Sequence, residues 1–98
     1  MITLTANISA QIVQPEKLGR LIEITVVSET DYIRVSGVKR NLDESSNGGT
    51  PIMPGATRSF FLPPSHELFA ISTGTPIVSV ETLSTLVAIE TGGPVIVI

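Results

Sequence analysis

Ile2-Thr3-Leu4-Thr5-Ala6-Asn7-Ile8-Ser9-Ala10-Gln11-Ile12 opens the chain with strict alternation of apolar and polar residues. A period of two puts Ile2, Leu4, Ala6, Ile8, Ala10 and Ile12 on one face of an extended segment. The stretch from Ile2 to Val13 therefore predicts a strand, with a break near Asn7 dividing it in two. Gln14-Pro15-Glu16-Lys17 ends it, because proline lacks the N–H a central strand needs.

Working outward, the same period recurs. Leu18 to Ser28 places Ile22, Ile24 and Val26 on one face and Leu21, Glu23, Thr25 and Val27 on the other. After Glu29-Thr30-Asp31, the segment Tyr32 to Val38 turns Ile33 and Val35 inward and Tyr32, Arg34 and Ser36 outward. Thr57 to Leu62 carries Phe60 and Phe61 on opposite faces and stops at Pro63-Pro64. Glu67 to Ser72 is a strand with Phe69 and Ile71 on one face. Ile77 to Leu83 alternates and continues from Ser84 to Glu90. Pro54-Gly55 is a turn dipeptide with proline second and glycine third. Turn signals about every ten residues, with no stretch of helical period, predict an all-β fold. The expected architecture is a compact β-sandwich or jelly-roll-like barrel of about eight short antiparallel strands. Its core is expected to hold Ile22, Ile24, Val26, Ile33, Val35, Phe60, Phe69, Ile71, Val78 and Val80.

The chain has 98 residues, enough for a single domain over 1–98. Charged residues make up only 15%, against a mean hydropathy of +0.39, and a surface poor in charge favours association. The net charge is −3 and the six basic residues are scattered. Nucleic acid binding and docking on an anionic membrane both need clustered Lys and Arg, so neither is expected. No apolar run approaches the ~20 residues of a membrane-spanning helix. There is no cysteine, which excludes disulfides and thiolate metal sites. Met1-Ile2-Thr3-Leu4 lacks the basic start of a secretory signal, so synthesis in a cytoplasm is expected.

Two segments stand apart. Residues 41–54 are polar, Gly-rich and poor in β-branched residues, and read as a long loop that is either a contact arm or a mobile excursion. Residues 94–98, ending Val95-Ile96-Val97-Ile98, form an apolar strand whose edge must be covered. It either lies within its own sandwich or adds to the sheet of a neighbour, with Gly92-Gly93 as hinge.

No constellation for catalysis is visible. His66, the only histidine, adjoins Ser65, but neighbouring side chains of an extended segment point apart, so the pair reads as surface turn. Asp43-Glu44-Ser45-Ser46-Asn47 lacks the spacing of a calcium loop. Gly48-Gly49-Thr50 and Gly92-Gly93-Pro94 lack the lysine and helix of a phosphate loop. No catalytic residue, metal ligand or cofactor is assigned, and the chain is read as no enzyme.

Residues 51–82 resemble a known pattern: Pro51-Ile52-Met53-Pro54-Gly55, a strand ending in Leu62-Pro63-Pro64, then Leu68-Phe69-Ala70-Ile71 and Val78-Ser79-Val80. This order is similar to small β-sandwich virion proteins of tailed bacteriophages, of the head decoration or cement type. The resemblance implies a non-enzymatic structural protein on the outer capsid surface, made in the host cytoplasm. Its implied partners are the major capsid protein, whose subunits it bridges to stabilise the shell, and itself, as a homotrimer or homodimer. The contact residues expected are Ile2 and Leu4 on the first strand, Asn41, Asp43, Glu44 and Asn47 in the loop, and Val95, Ile96, Val97 and Ile98 at the end. The competing reading is a sugar- or receptor-binding module of a phage fibre or tail, for which Tyr32 beside Arg34 is the one candidate platform.

Overall fold

A computed structural model of the chain describes the backbone of residues 1–89 and 93–97 and the side chains of residues 1–83. Nine strands and one short helix lie among these residues: β1 (Ile2–Thr3), β2 (Ala10–Val13), β3 (Gly19–Val27), β4 (Ile33–Ser36), α1 (Lys39–Asp43), β5 (Thr50–Ile52), β6 (Thr57–Leu62), β7 (Leu68–Ile71), β8 (Ile77–Ile89) and β9 (Gly93–Val97). The first eight strands pair as nested hairpins, β1 with β8, β2 with β7, β3 with β6 and β4 with β5. Rolling this long hairpin joins β8 to β3 and β7 to β4. Two antiparallel sheets result, β1-β8-β3-β6 and β2-β7-β4-β5, with β9 added beside β8. This is the strand order of a jelly roll.

The two sheets bury one core. Leu4, Ile22, Ile24, Val26, Leu62 and Val78 come from the first sheet or its margin and meet Ile12, Val13, Ile33, Val35, Ile52, Leu68 and Ala70 of the second. Ile22, Ile24, Val26, Ile33 and Val78 are fully buried, as their alternation requires. Phe60 and Val80 pack against this core from its rim. A bulge between Gln11 and Val13 lets both Ile12 and Val13 face inward, although they are adjacent in sequence.

Three expectations need correction. The opening stretch breaks near Asn7 as expected, but its apolar residues do not share one face, because Asn7 at φ 61° turns the chain between the sheets. Backbone bonds from Leu4 N to Pro76 O and Asn7 N to Ser72 O hold the crossing (3.0 and 2.8 Å). Leu4 is thereby buried, while Ile8, which shares its period, is 58% exposed. Second, Phe69 and Ile71 are not in the inter-sheet core, which takes Leu68 and Ala70 from β7. Ile71 is buried all the same. It lies on the outer face of its sheet, where α1 packs across β4 and β7. A short continuous apolar run is the mark of a strand covered on both sides. Third, residues 41–54 are not a structureless loop. They include the end of α1 and all of β5. A five-residue helix with one apolar side chain, Leu42, is too short to write a helical period.

The Pro54-Gly55 turn is present: Ala56 N donates to Met53 O (3.0 Å) and Gly55 has φ 74°. The apolar end of the chain pairs within its own first sheet, Val95 with Val87, Ile96 with Leu86 and Val97 with Thr85. Ile98 lies outside the described residues.

Candidate contact surfaces

The connection between β4 and β5 is the most elaborate surface feature, and one arginine organises it. Arg34 points outward from β4, and its Nη1 donates to the carbonyls of Ser45 (2.7 Å) and Gly48 (2.9 Å). A guanidinium offers several donors in a fixed fork, so one side chain satisfies carbonyls that a turn would leave open. Leu42 anchors the segment from beneath at 2% exposure. Ser9 Oγ donates to Asp43 Oδ1 (2.5 Å) from the β1–β2 connection, and Lys39 Nζ donates to Asp43 Oδ2 (2.7 Å). These bonds from Lys39 and Ser9 hold the Asp43 carboxyl below its usual range. Glu44 closes the helix, its N–H bonded to Arg40 O (3.0 Å). Asn41, Asp43, Glu44 and Asn47 all stand exposed on this clamped ridge.

A second arginine closes the adjoining end of the sandwich. Arg20 is 5% exposed and donates through Nη2 to Gln14 O (2.8 Å) and His66 O (3.2 Å). It ties the β2–β3 and β6–β7 connections together, and Ser65 N to Glu16 O (2.7 Å) adds a direct bond between them. His66 itself is exposed. Sequence reading missed Arg20, because its position on the inward face of β3 is legible only beside Ile22 and Ile24.

The expected contact residues do not converge on one site. Leu4 is core at 1% exposure and cannot meet a partner. Ile2 is half-buried and packs on the core. The four residues of the ridge lie outside the second sheet. Val95, Ile96 and Val97 lie on β9, at an edge of the first sheet.

The outer face of the first sheet carries no helix among the described residues. Phe61, 52% exposed, is the register partner of Leu21 there. Glu23 sits between Ser59 and Glu81, and Thr25 shares a hydroxyl bond with Thr57 (2.8 Å). At the end of this face Thr25, Val26, Val27, Ser28, Glu29 and Gly55 line an open depression of about 430 Å³. Val27 and its register partner Ile77 are 46% and 38% exposed beside it. The outward alternation of Leu21, Glu23, Thr25 and Val27 was the available signal for this surface. Tyr32 is exposed, but Arg34 is committed to Ser45 and Gly48. No three His, Cys, Asp or Glu gather as metal ligands among the described residues.

The chain matches no protein-family model, no curated protein and no solved structure.

Proposed function

We propose that the chain is a non-enzymatic structural protein of a virion, a decoration or cement protein that binds the outside of a phage head and bridges major capsid subunits. The observation that carries this reading is the clamped ridge from Ser36 to Gly49. Arg34, Leu42 and the Ser9–Asp43–Lys39 group fix a long polar connection in one conformation while leaving Asn41, Glu44 and Asn47 exposed. A preformed surface loses little conformational entropy on binding, and a repetitive lattice multiplies many modest contacts into firm attachment. A jelly roll closed at one end by Arg20 supplies the stiff body such a bridge needs.

The test is cosedimentation with the heads of the phage that encodes the chain, prepared without it. The protein is expected to pellet with assembled shells, to raise their resistance to heating, and to ignore free capsid subunits. Glu44→Lys with Asn47→Lys should abolish pelleting and leave the thermal unfolding of the protein itself unchanged. Absence of binding to any shell state, or retention of binding by the double variant, overturns the reading. Binding to immobilised glycans would favour the fibre or tail module instead.

A further inference from the structure

The edges of the two sheets are not alike. β1 has two residues, β5 has three and includes Pro51, β2 carries a bulge, and β9 contains Pro94. Short length, proline and a bulge each discourage a further strand from pairing. β6 has six residues and no proline, and it pairs with β3 through six consecutive register pairs without a shift. It ends the order β1-β8-β3-β6, so its other side has no strand among the described residues. Thr57, Arg58, Ser59 and Phe61 are exposed along it.

The free side of β6 presents a definite row of backbone groups. Val26 N donates to Ala56 O (3.1 Å), which makes Val26 and Ala56 a hydrogen-bonded pair. Such pairs alternate along an antiparallel ladder. Arg58, Phe60 and Leu62 therefore turn their backbone groups to β3, and Thr57, Ser59 and Phe61 turn theirs away from it. None of these three N–H groups or carbonyls has a backbone partner among the described residues. Arg58 is the one charged residue of the strand, and its Nη1 is engaged elsewhere, donating to Pro51 O of the second sheet (3.1 Å).

We infer that β6 pairs antiparallel with β6 of a second copy of this chain, about a two-fold axis at Ser59. In that register Ser59 faces Ser59, Thr57 faces Phe61 of the other copy, and all three free N–H groups and carbonyls of each strand are satisfied. The side chains match a second copy at every position. On the outer face Thr57 packs on the half-exposed ring of Phe61 and hydroxyl meets hydroxyl at Ser59, both favourable cross-strand pairs. On the inner face Arg58 stands opposite Phe60 and not opposite its own counterpart, so the cation of the edge meets an aromatic ring. Glu23, the register partner of Ser59, is three strand spacings from its counterpart, about 14 Å. That exceeds the ~8 Å over which exposed charges act in physiological salt. The first sheet then runs from β1-β8-β3-β6 of one copy into β6-β3-β8-β1 of the other. The interface is isologous, so it makes a two-fold dimer and closes there. The contact concerns the chain's own copies and stands apart from whether a phage shell is what they coat.

The chain has no cysteine, so single introduced thiols report the register. Ser59→Cys should oxidise to a covalent dimer, because opposed residues of a hydrogen-bonded pair lie about 5.5 Å apart at Cα, within the span of a disulfide. Phe61→Cys alone should not, since its two copies stand four residues apart along the strand, about 14 Å. An equimolar mixture of Phe61→Cys and Thr57→Cys should cross-link. Ser59→Pro removes the central N–H from the free side, where an edge strand tolerates proline. It should weaken the dimer on the order of 100-fold in analytical ultracentrifugation. Circular dichroism identifies a proline variant that fails to fold, and the thiol variants then decide the matter. A native chain that stays monomeric at millimolar concentration overturns the inference and leaves the edge to a strand of another protein. A native trimer, a folded Ser59→Pro variant that dimerises like the native chain, or Phe61→Cys cross-linking as readily as Ser59→Cys overturns it too.

Discussion

At the scale of single residues, polar side chains rather than apolar ones fix the surface of this protein. Arg20 and Arg34 both use the guanidinium fork on backbone carbonyls, one inside the end of the sandwich and one outside it. Asp43 joins two segments, accepting from Ser9 of the β1–β2 connection and from Lys39 of its own helix, while its backbone ends α1. Its carboxyl is held below the usual range, chiefly by the bonds from Lys39 and Ser9. A depressed folded-state value means that the contribution is fully present above the unfolded value, about pH 4, and is lost as pH falls through the folded one. Stability at neutral pH therefore includes the Asp43 contacts, and acid removes them. Urea midpoints measured from pH 7 down to pH 2 should fall more steeply below about pH 4 for the native chain than for Asp43→Asn. Equal slopes would show that the Asp43 contacts add nothing to the folded state.

At the scale of elements, two glycines at positive φ separate backbone strain from crowding. Gly55 has φ 74° in the turn between β5 and β6, and a Cβ built there meets nothing within 4 Å. Gly49 has φ 83° at the foot of the ridge, and its Cβ would lie 2.5 Å from Val35 O and 2.9 Å from a Leu42 methyl. Gly55→Ala should cost only the left-handed conformation, about 1–2 kcal/mol. Gly49→Ala should cost more, because the backbone of β4 has to shift as well. Equilibrium unfolding in urea measures both, and limited proteolysis of Gly49→Ala should show cleavage between residues 44 and 49 that the Gly55 variant lacks. Comparable costs for the two would mean that the ridge is not held against β4 as described. The turn at Gly55 was legible in the sequence because proline and glycine write their conformations locally. The ridge was not, since its order comes from an arginine eight or more residues away from the carbonyls it binds.

At the scale of the whole molecule, the nested pairing sets both stability and shape. β1 pairs with β8 across almost the whole chain, so the core cannot assemble from local pieces. Ile24 lies at the centre of that core with no exposure, between Arg58 of β6 and Val80 of β8 in the register of its sheet. Ile24→Ala should destabilise by about 2–5 kcal/mol, a large share of the stability of so small a domain. Chemical denaturation checks this, and a loss under about 1 kcal/mol would mean that the site collapses around the smaller side chain. The radius of gyration, 14.1 Å, exceeds the roughly 13 Å of a compact chain of this length, as an extension past the sandwich requires.

The sequence by itself determined the fold class, the bounds of β6, the opposed faces of β3 and the turn at Gly55. Each of these rests on neighbours: a period of two, a proline that cannot donate, a glycine that tolerates positive φ. Only the tertiary structure decided that the opening alternation serves two sheets, that Ile71 is buried although it lies outside the inter-sheet core, and that Leu4 is core. It alone placed the carbonyls that Arg20 and Arg34 bind and carried β8 past the end of β3. These outcomes depend on which distant segments meet, and alternation along a strand states which face is apolar without stating what will cover it.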